Sequence, residues 1–363
     1  MKITLVIFGL SSGGAERVMA IMANYWAERG KDITLITLRS KESDFYPLDQ
    51  RIKRVALDLY SNEPVFSFKR IFYRLSLLRK AIKESNPDVV ISFMTRMNAT
   101  VLFATIGLSI PVVVSEHIDH RQLPLGFIWN ILRKFSYLWA NAVVVLTDEL
   151  RDVASKFVSE KRLHVIPNPA IPVPEDDEEM KPPFDLPSPF IVSMGRLNEQ
   201  KGFDLLLDAF SRVNNEDWSL IILGEGEERE ALESMSEQYG LSSRVYLPGR
   251  VNVPSAILRK AELFVLSSRY EGFPMVILEA LSCGLPVLSF DCPTGPNVII
   301  RDGIDGVLVP ARDVEALSIE MNRLMKDENA RNRLAENASS VVERFSTDRI
   351  MSLWESLLDE VIR

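Results

Sequence analysis

Short runs of β-branched and aliphatic residues alternate along this chain with stretches whose apolar positions recur every three or four residues. Residues 2–8, 32–38, 89–93, 111–115, 142–146 and 163–166 read as strands separated by amphipathic stretches. The alternation stops over 169–188, where Pro169, Pro172, Pro174, Pro182, Pro183 and Pro187 and the acidic run 175–179 exclude a packed element. It resumes with strands expected at 190–194, 219–223, 245–247, 263–266, 286–290 and 306–309. Strands and helices alternating in this way form parallel, doubly wound sheets. The expected fold is α/β, with two Rossmann-like domains at 1–168 and 189–345, a linker at 169–188 and a helix over 346–363 closing the chain. Ligands of open α/β sheets bind at the carboxyl ends of the strands, which points to an interdomain cleft.

Three stretches at strand ends carry candidate chemistry. After the first strand, Gly9 to Arg17 leads into a helical face of Val18, Ile21, Met22 and Tyr25, and Gly13 and Gly14 present bare backbone N–H groups to an anion. A plain strand-to-helix turn is the alternative. The second strand ends in Leu38-Arg39 without the acid that holds a nicotinamide ribose, so a nicotinamide dinucleotide site is not expected. After the strand ending at Met194, Gly195, Arg196 and Lys201 precede a helix marked by Phe203, Leu206, Leu207 and Phe210. Two cations at a helix N-terminus suit a diphosphate, each charge-assisted hydrogen bond contributing about 1.5 to 3 kcal/mol. Ordinary surface cations are the alternative there.

The third stretch runs from Glu271 through Gly272, Phe273 and Pro274 to Glu279, with Pro274 suited to the first helical position and Gly284 to the residue past the end. Glu279 falls inside an apolar helical run, where a carboxylate calls for a partner such as the paired hydroxyls of a ribose. Pro274 and Glu279 are about 7.5 Å apart along a helix axis, comparable to the distance from a ribose to a transferable sugar, which puts Glu271 at the reacting centre. Both carboxylates come from one β/α unit rather than from opposite walls of a cleft, which argues against a glycoside hydrolase. Gly224 lies in another strand-end turn of the same edge, and Arg250-Val251 follow a strand and Pro248-Gly249.

Charge sharpens this picture. The net charge of −8 conceals a first half, 1–168, with 23 Lys+Arg against 16 Asp+Glu, and an acidic remainder. The basic half suits an anionic partner such as a diphosphate or a lipid surface. Residues 66–83 combine Lys69, Arg70, Arg74, Arg79, Lys80 and Lys83 with Phe68, Ile71, Phe72, Leu75, Leu78 and Ile82 at helical spacing, giving one cationic and one apolar face. Residues 127–139 add aromatics around Arg133-Lys134, as helices at a membrane interface do. Core packing explains those aromatics as well. The uncharged run 97–115 is broken by Thr100, Thr105, Gly107, Ser109 and Pro111 and is not read as a membrane span. Met1-Lys2 passes straight into a strand, with no signal-peptide core, so a cytoplasmic protein is expected. Cys283 and Cys292, the only cysteines, form no metal-ligand spacing.

The Gly-Gly-Ala-Glu-Arg loop at 13–17, Gly195-Arg196 with Lys201, and Glu271-Gly-Phe-Pro running to Glu279 together resemble glycosyltransferase family four, the retaining GT-B enzymes, over nearly the whole chain. Residues 12–17 and Val114-Ser115-Glu116-His117 are most similar to its bacterial N-acetylgalactosaminyltransferases that extend undecaprenyl-diphosphate-linked glycans. The resemblance implies a nucleotide-sugar donor, UDP first, a glycan or lipid-linked glycan acceptor and no nucleic acid. It implies that Gly14 offers its backbone to the donor phosphate or acceptor, that Arg196 and Lys201 hold the diphosphate, that Glu271 contacts the sugar and Glu279 the ribose. By the same resemblance His117 lines the cleft near the donor sugar, Arg250-Val251 hold the base, and Lys69, Arg70, Arg74 and Arg79 bind the acceptor diphosphate. No Asp-x-Asp motif occurs, so no metal or other cofactor is expected. A nucleotide-sugar 2-epimerase and a non-catalytic binding protein are the competing functions for such a chain.

Overall fold

Consecutive aliphatic residues such as Leu5-Val6-Ile7 and Val89-Val90-Ile91 suit a strand covered on both faces, and in a computed structural model of the protein they are fully buried in parallel sheets. The structure describes residues 1–59, 68–122, 126–170 and 182–363. Most of the expected linker, at 171–181, and the start of the basic segment, at 66–67, lie outside the described residues.

The chain divides into two compact units, Met1–Asn168 with Ile350–Arg363, and Pro169–Arg349. In the first, β1 (Lys2–Ile7), α1 (Gly14–Glu28), β2 (Asp32–Thr37), β3 (Lys53–Ala56), α2 (Phe68–Ser85), β4 (Val89–Phe93) and α3 (Thr95–Thr105) are followed by β5 (Val112–Glu116), α4 (Phe127–Ser136), β6 (Ala142–Val145), α5 (Asp148–Ala154) and β7 (Leu163–Val165). The sheet order is β3-β2-β1-β4-β5-β6-β7, all parallel. Strand β3, which hydrophobic patterning misses, is a short charged edge strand paired to β2, with Arg54 bonded to Asp44 at 2.9 Å.

The second unit runs β8 (Phe190–Met194), α6 (Phe203–Ser211), β9 (Ser219–Leu223), α7 (Arg229–Gln238), β10 (Val245–Gly249), α8 (Ser255–Leu258), β11 (Leu263–Leu266), α9 (Met275–Ser282), β12 (Val287–Asp291), α10 (Pro296–Ile299) and β13 (Gly306–Pro310). Helices α11 (Val314–Lys326), α12 (Glu328–Ala338) and α13 (Val341–Arg344) follow. Its parallel sheet has the order β10-β9-β8-β11-β12-β13. In each sheet the strand order reverses once, between β1 and β4 and between β8 and β11, the point at which ligands of open α/β sheets bind.

The last helix, α14 (Thr347–Ile362), buries Ile350, Met351, Trp354, Leu357 and Leu358, and from Ile350 onward it belongs to the first unit. Trp354 stacks on Phe93 at the end of β4, with ring centroids 6.2 Å apart. Replacing Trp354 by Ala should destabilise the first unit by about 3 to 5 kcal/mol. Urea denaturation followed by circular dichroism checks this: an unchanged curve would mean that the helix contributes no packing energy.

Candidate active site

At the reversal in the second sheet lie the loop after β8, residues 195–202, and the loop after β11, residues 267–274. Glycine lets these loops touch. Gly202 has φ +62°, and a Cβ there would meet the Ser267 carbonyl at 2.2 Å. Around it the Ser267 hydroxyl donates to the Lys201 carbonyl at 3.0 Å, the Arg269 N–H donates to the Gln200 carbonyl at 2.8 Å and the Gln200 amide to the Tyr270 carbonyl at 3.1 Å. Gly224, φ +149°, brings the loop after β9 against the same edge, where a Cβ would sit 1.8 Å from the Gly195 carbonyl.

This backbone arrangement places the Lys201 ammonium 2.6 Å from Glu271 Oε1. The aliphatic stem of Lys201 lies against Gly195, where an added Cβ would come within 3.2 Å of it. Glu271 is buried and also accepts from the Ser268 hydroxyl at 2.6 Å, while the Thr294 hydroxyl donates to its carbonyl. A buried pair of this kind costs desolvation and persists where extra hydrogen bonds satisfy the carboxylate, as Ser268 does here. Arg196 is exposed on the same loop, Arg250 is exposed after β10, and Val251 is half-buried. Glu279 is half-buried on α9, Phe273 and Pro274 are buried, and Gly272 is half-buried between them and Glu271. Pro274 takes the N-cap of α9 rather than its first helical position, and Gly284 follows the helix with φ +74°. Ser268, Thr294 and the Arg269–Asp204 pair, 2.6 Å apart, were not apparent from sequence patterning, although Ser267-Ser268-Arg269 directly precedes the Glu271 motif.

In the first unit Gly13 caps α1 without a side-chain bond, Gly14 is its exposed first residue, and the Glu16 carboxylate folds back to within 2.2 Å of where a Cβ on Gly13 would lie. His117 follows β5 and is buried. Its ring packs on Phe93 with centroids 4.3 Å apart, and its Nε2 lies 3.2 Å from the Ser115 hydroxyl. Burial, opposed by the neighbouring Glu116 charge, pushes the His117 pKa down to about 4, so the ring is neutral near pH 7. Beside it Glu116 accepts from Thr95 at 2.5 Å, from the Tyr137 hydroxyl and from His120 Nε2 at 3.3 Å. Burial alone would raise the pKa of Glu116, but the His120 bond and charge, the Arg133 charge and the Thr95 hydroxyl together hold it below its ordinary value.

The predicted diphosphate cations lie along α2. Lys69 is exposed and Arg70 half-buried, whereas Arg74 donates to the Leu59 carbonyl at 3.1 Å and Arg79 to the carbonyls of Ala104 and Ile106 at 2.8 and 2.7 Å, capping the C-terminal end of α3. Helices α2 and α4 both pack on α3. Phe72 of α2, Phe127, Ile128 and Phe135 of α4, and Leu138 and Trp139 just after it are exposed to solvent. Among the described residues no helix is long and apolar enough to cross a membrane.

Two family models match: "Glycosyltransferase Family 4" over residues 12–171 and "Glycosyl transferases group 1" over 175–341. The chain is 31% identical to the GalNAc-α-(1→4)-GalNAc-α-(1→3)-diNAcBac-PP-undecaprenol α-1,4-N-acetyl-D-galactosaminyltransferase of Campylobacter jejuni, over 99% of each chain. It is 29% identical to the amylovoran biosynthesis glycosyltransferase AmsD of Erwinia amylovora, again over 99% of each. Among solved structures, HepE of Anabaena in complex with UDP-glucose superposes with a TM-score of 0.83 at 20% identity, covering 98% of this chain and 99% of that one. That likeness shows the fold, a GT-B arrangement of two Rossmann-like domains.

The depressed pKa of His117 sets a pH dependence. The unfolded chain takes up a proton near pH 6.5 and the folded chain only near about 4. Stability is therefore complete above pH 6.5 and falls as pH drops toward 4, by roughly 3 kcal/mol for this group. Unfolding curves for the wild type and His117→Asn between pH 7 and 4 measure it. Parallel pH profiles for the two proteins would show that His117 does not contribute.

Proposed function

We propose that this chain, which belongs to the family 4 glycosyltransferases, is a retaining enzyme that moves a hexose or N-acetylhexosamine from a UDP donor to a polyprenyl-diphosphate-linked glycan without a divalent ion. The observation that carries the reading is the Lys201–Glu271 pair at the strand-order reversal of the second sheet, beside Gly195, Gly224 and the N-terminus of α6. In this reading 189–345 is the donor domain and 1–168 the acceptor domain, joined through 169–188 and closed by 346–363.

The chemistry follows from charge. As the acceptor hydroxyl bonds to the anomeric carbon, the glycosidic bond to the donor diphosphate breaks, the acceptor proton passes to the leaving phosphate, and negative charge grows on the departing phosphate oxygens. Arg196, Lys201 and the positive end of α6 supply fixed positive charge for it, the role a divalent ion would otherwise take. Glu271 and the adjoining Gly272-Phe273-Pro274 backbone orient the sugar hydroxyls, Glu279 bonds the ribose, and Arg250 with Val251 receives the base. The neutral imidazole of His117 donates or accepts a hydrogen bond at the transferred sugar without adding charge. Gly13 and Gly14 offer backbone N–H groups to phosphate. The relative from Campylobacter is named for an undecaprenyl-diphosphate-linked substrate and the Anabaena structure holds UDP-glucose, which supports the acceptor and donor classes proposed here.

Cationic Lys69 and Arg70 would hold the acceptor diphosphate, with Arg74 and Arg79 anchoring α2 as well as adding to its field. The exposed aromatics of α4 beside Lys134 would rest on the inner face of the cytoplasmic membrane, where such an acceptor is presented.

Calorimetric titration without metal should show binding of UDP and UDP-N-acetylhexosamines in preference to GDP and ADP, weakened at least about tenfold by Lys201→Ala or Glu279→Ala, as loss of a charge-assisted bond predicts. No UDP binding would overturn the donor assignment, and product formed without acceptor would favour the epimerase. Sedimentation with phosphatidylglycerol vesicles should pellet the protein at low salt and less of it at physiological salt, and Phe127→Ser with Phe135→Ser should release it. Equal pelleting of wild type and variant would remove α4 from the membrane.

A further inference from the structure

We propose that Glu116 is a positioning residue for the transfer reaction: its carboxylate, locked by Thr95, His120 and Tyr137, fixes the orientation of His117. The inference rests on the transferase reading above and assigns a role to a group that the reading leaves unused.

Glu116 is the last residue of β5 and is 5% exposed. Both its oxygens are occupied. Oε1 receives the Tyr137 hydroxyl, and Oε2 receives Thr95 at 2.5 Å and faces His120 Nε2 at 3.3 Å. Thr95 and His120 are themselves 2.5 Å apart, and Asn98 ties Tyr137 back to the strand by donating to its hydroxyl at 3.0 Å and to the Ser115 carbonyl at 2.8 Å. One carboxylate thus joins the N-terminal turn of α3, the end of β5, the loop after it and the segment after α4.

Side chains alternate along a strand, so Ser115 and His117 share one side and Glu116 points to the other. The Ser115–His117 contact and the packing of His117 against Phe93, whose strand position pairs with Ser115, agree with this. Phe93 packs against the His117 ring. Rotation of the strand end about its own axis would still swing the ring, and the Glu116 carboxylate, held by three donors on the far side, removes that freedom. An apolar side chain would fill the same space without the desolvation penalty of a buried charge, so this network is better suited to holding a geometry than to adding stability.

The test compares wild type with Glu116→Gln, His117→Ala, the double variant, and Tyr137→Phe, which removes one donor and keeps the carboxylate. Glu116→Gln should lower kcat about ten- to a hundredfold with KM for donor and acceptor within about twofold, and Tyr137→Phe should lower it by less. In the double variant kcat should equal that of His117→Ala alone, because a residue acting through His117 has nothing further to remove. Imidazole NMR gives a readout independent of turnover. The chain has three histidines, and the His117 resonances, assigned by their loss in His117→Ala, should shift or broaden in Glu116→Gln and in Tyr137→Phe. Losses in kcat that multiply in the double variant, or His117 resonances unchanged in both variants, would overturn the proposal. If the wild type transfers no sugar, the transferase reading fails and the NMR comparison alone decides the role of Glu116.

Discussion

Lys201 and Glu271 stand 70 residues apart, and the 2.6 Å contact between ammonium and carboxylate exists because the two loops at the reversal of strand order meet through glycine. The sheet alone would deliver both loops to the same edge. It is the absence of a side chain at 202 that lets the backbone of 200–202 dock on 267–270, and the hydrogen bonds between them set Lys201 beside Glu271. Ser268 and Thr294 act on the other partner, one holding the Glu271 carboxylate and the other its carbonyl. The ion pair is therefore the product of a packed backbone, and its orientation depends on that packing rather than on charge attraction alone.

The two units solve the placement of a carboxylate differently. In the second, Glu271 faces a cation that is 17% exposed, and the charge lies at an edge open to solvent. In the first, Glu116 is enclosed by hydroxyls and an imidazole, with Arg133 contributing at longer range. The neighbouring His117 is neutral because burial outweighs that carboxylate's field. In one unit an ammonium faces the carboxylate directly, and in the other hydroxyl donors do.

Much of this was legible in the order of residues. Buried strands of consecutive aliphatics, such as 190–194, 219–223 and 263–266, announce themselves because nothing else accommodates such runs between helices, and their observed bounds agree. Strand β3 was illegible since an edge strand reading Lys-Arg-Val-Ala has no apolar face to display. Lys201, Glu271 and Glu279 stood out by motif and spacing, and Lys201 and Glu271 do meet. Their mutual contact was not legible, nor was the grouping of Thr95, Glu116 and Tyr137, because each belongs to a different element and only the fold brings them within bonding distance. The basic helix shows the converse. Its charge pattern was plain, yet Arg79 spends its guanidinium on the carbonyls at the end of α3, a use that no periodicity reveals.

The tight backbone approaches at 202, 224 and 226 carry a consequence for how this chain can diverge. At each, a single methyl group would collide with a main-chain carbonyl at 2.2, 1.8 and 2.1 Å, respectively, and a carbonyl cannot rotate aside as a side chain can. These positions are closed to gradual change whatever substrate selection favours. Exposed neighbours such as Arg196 and Arg250 carry no such backbone constraint on their side chains. The rigid glycines thus act as a fixed frame that channels mutation toward the residues around them.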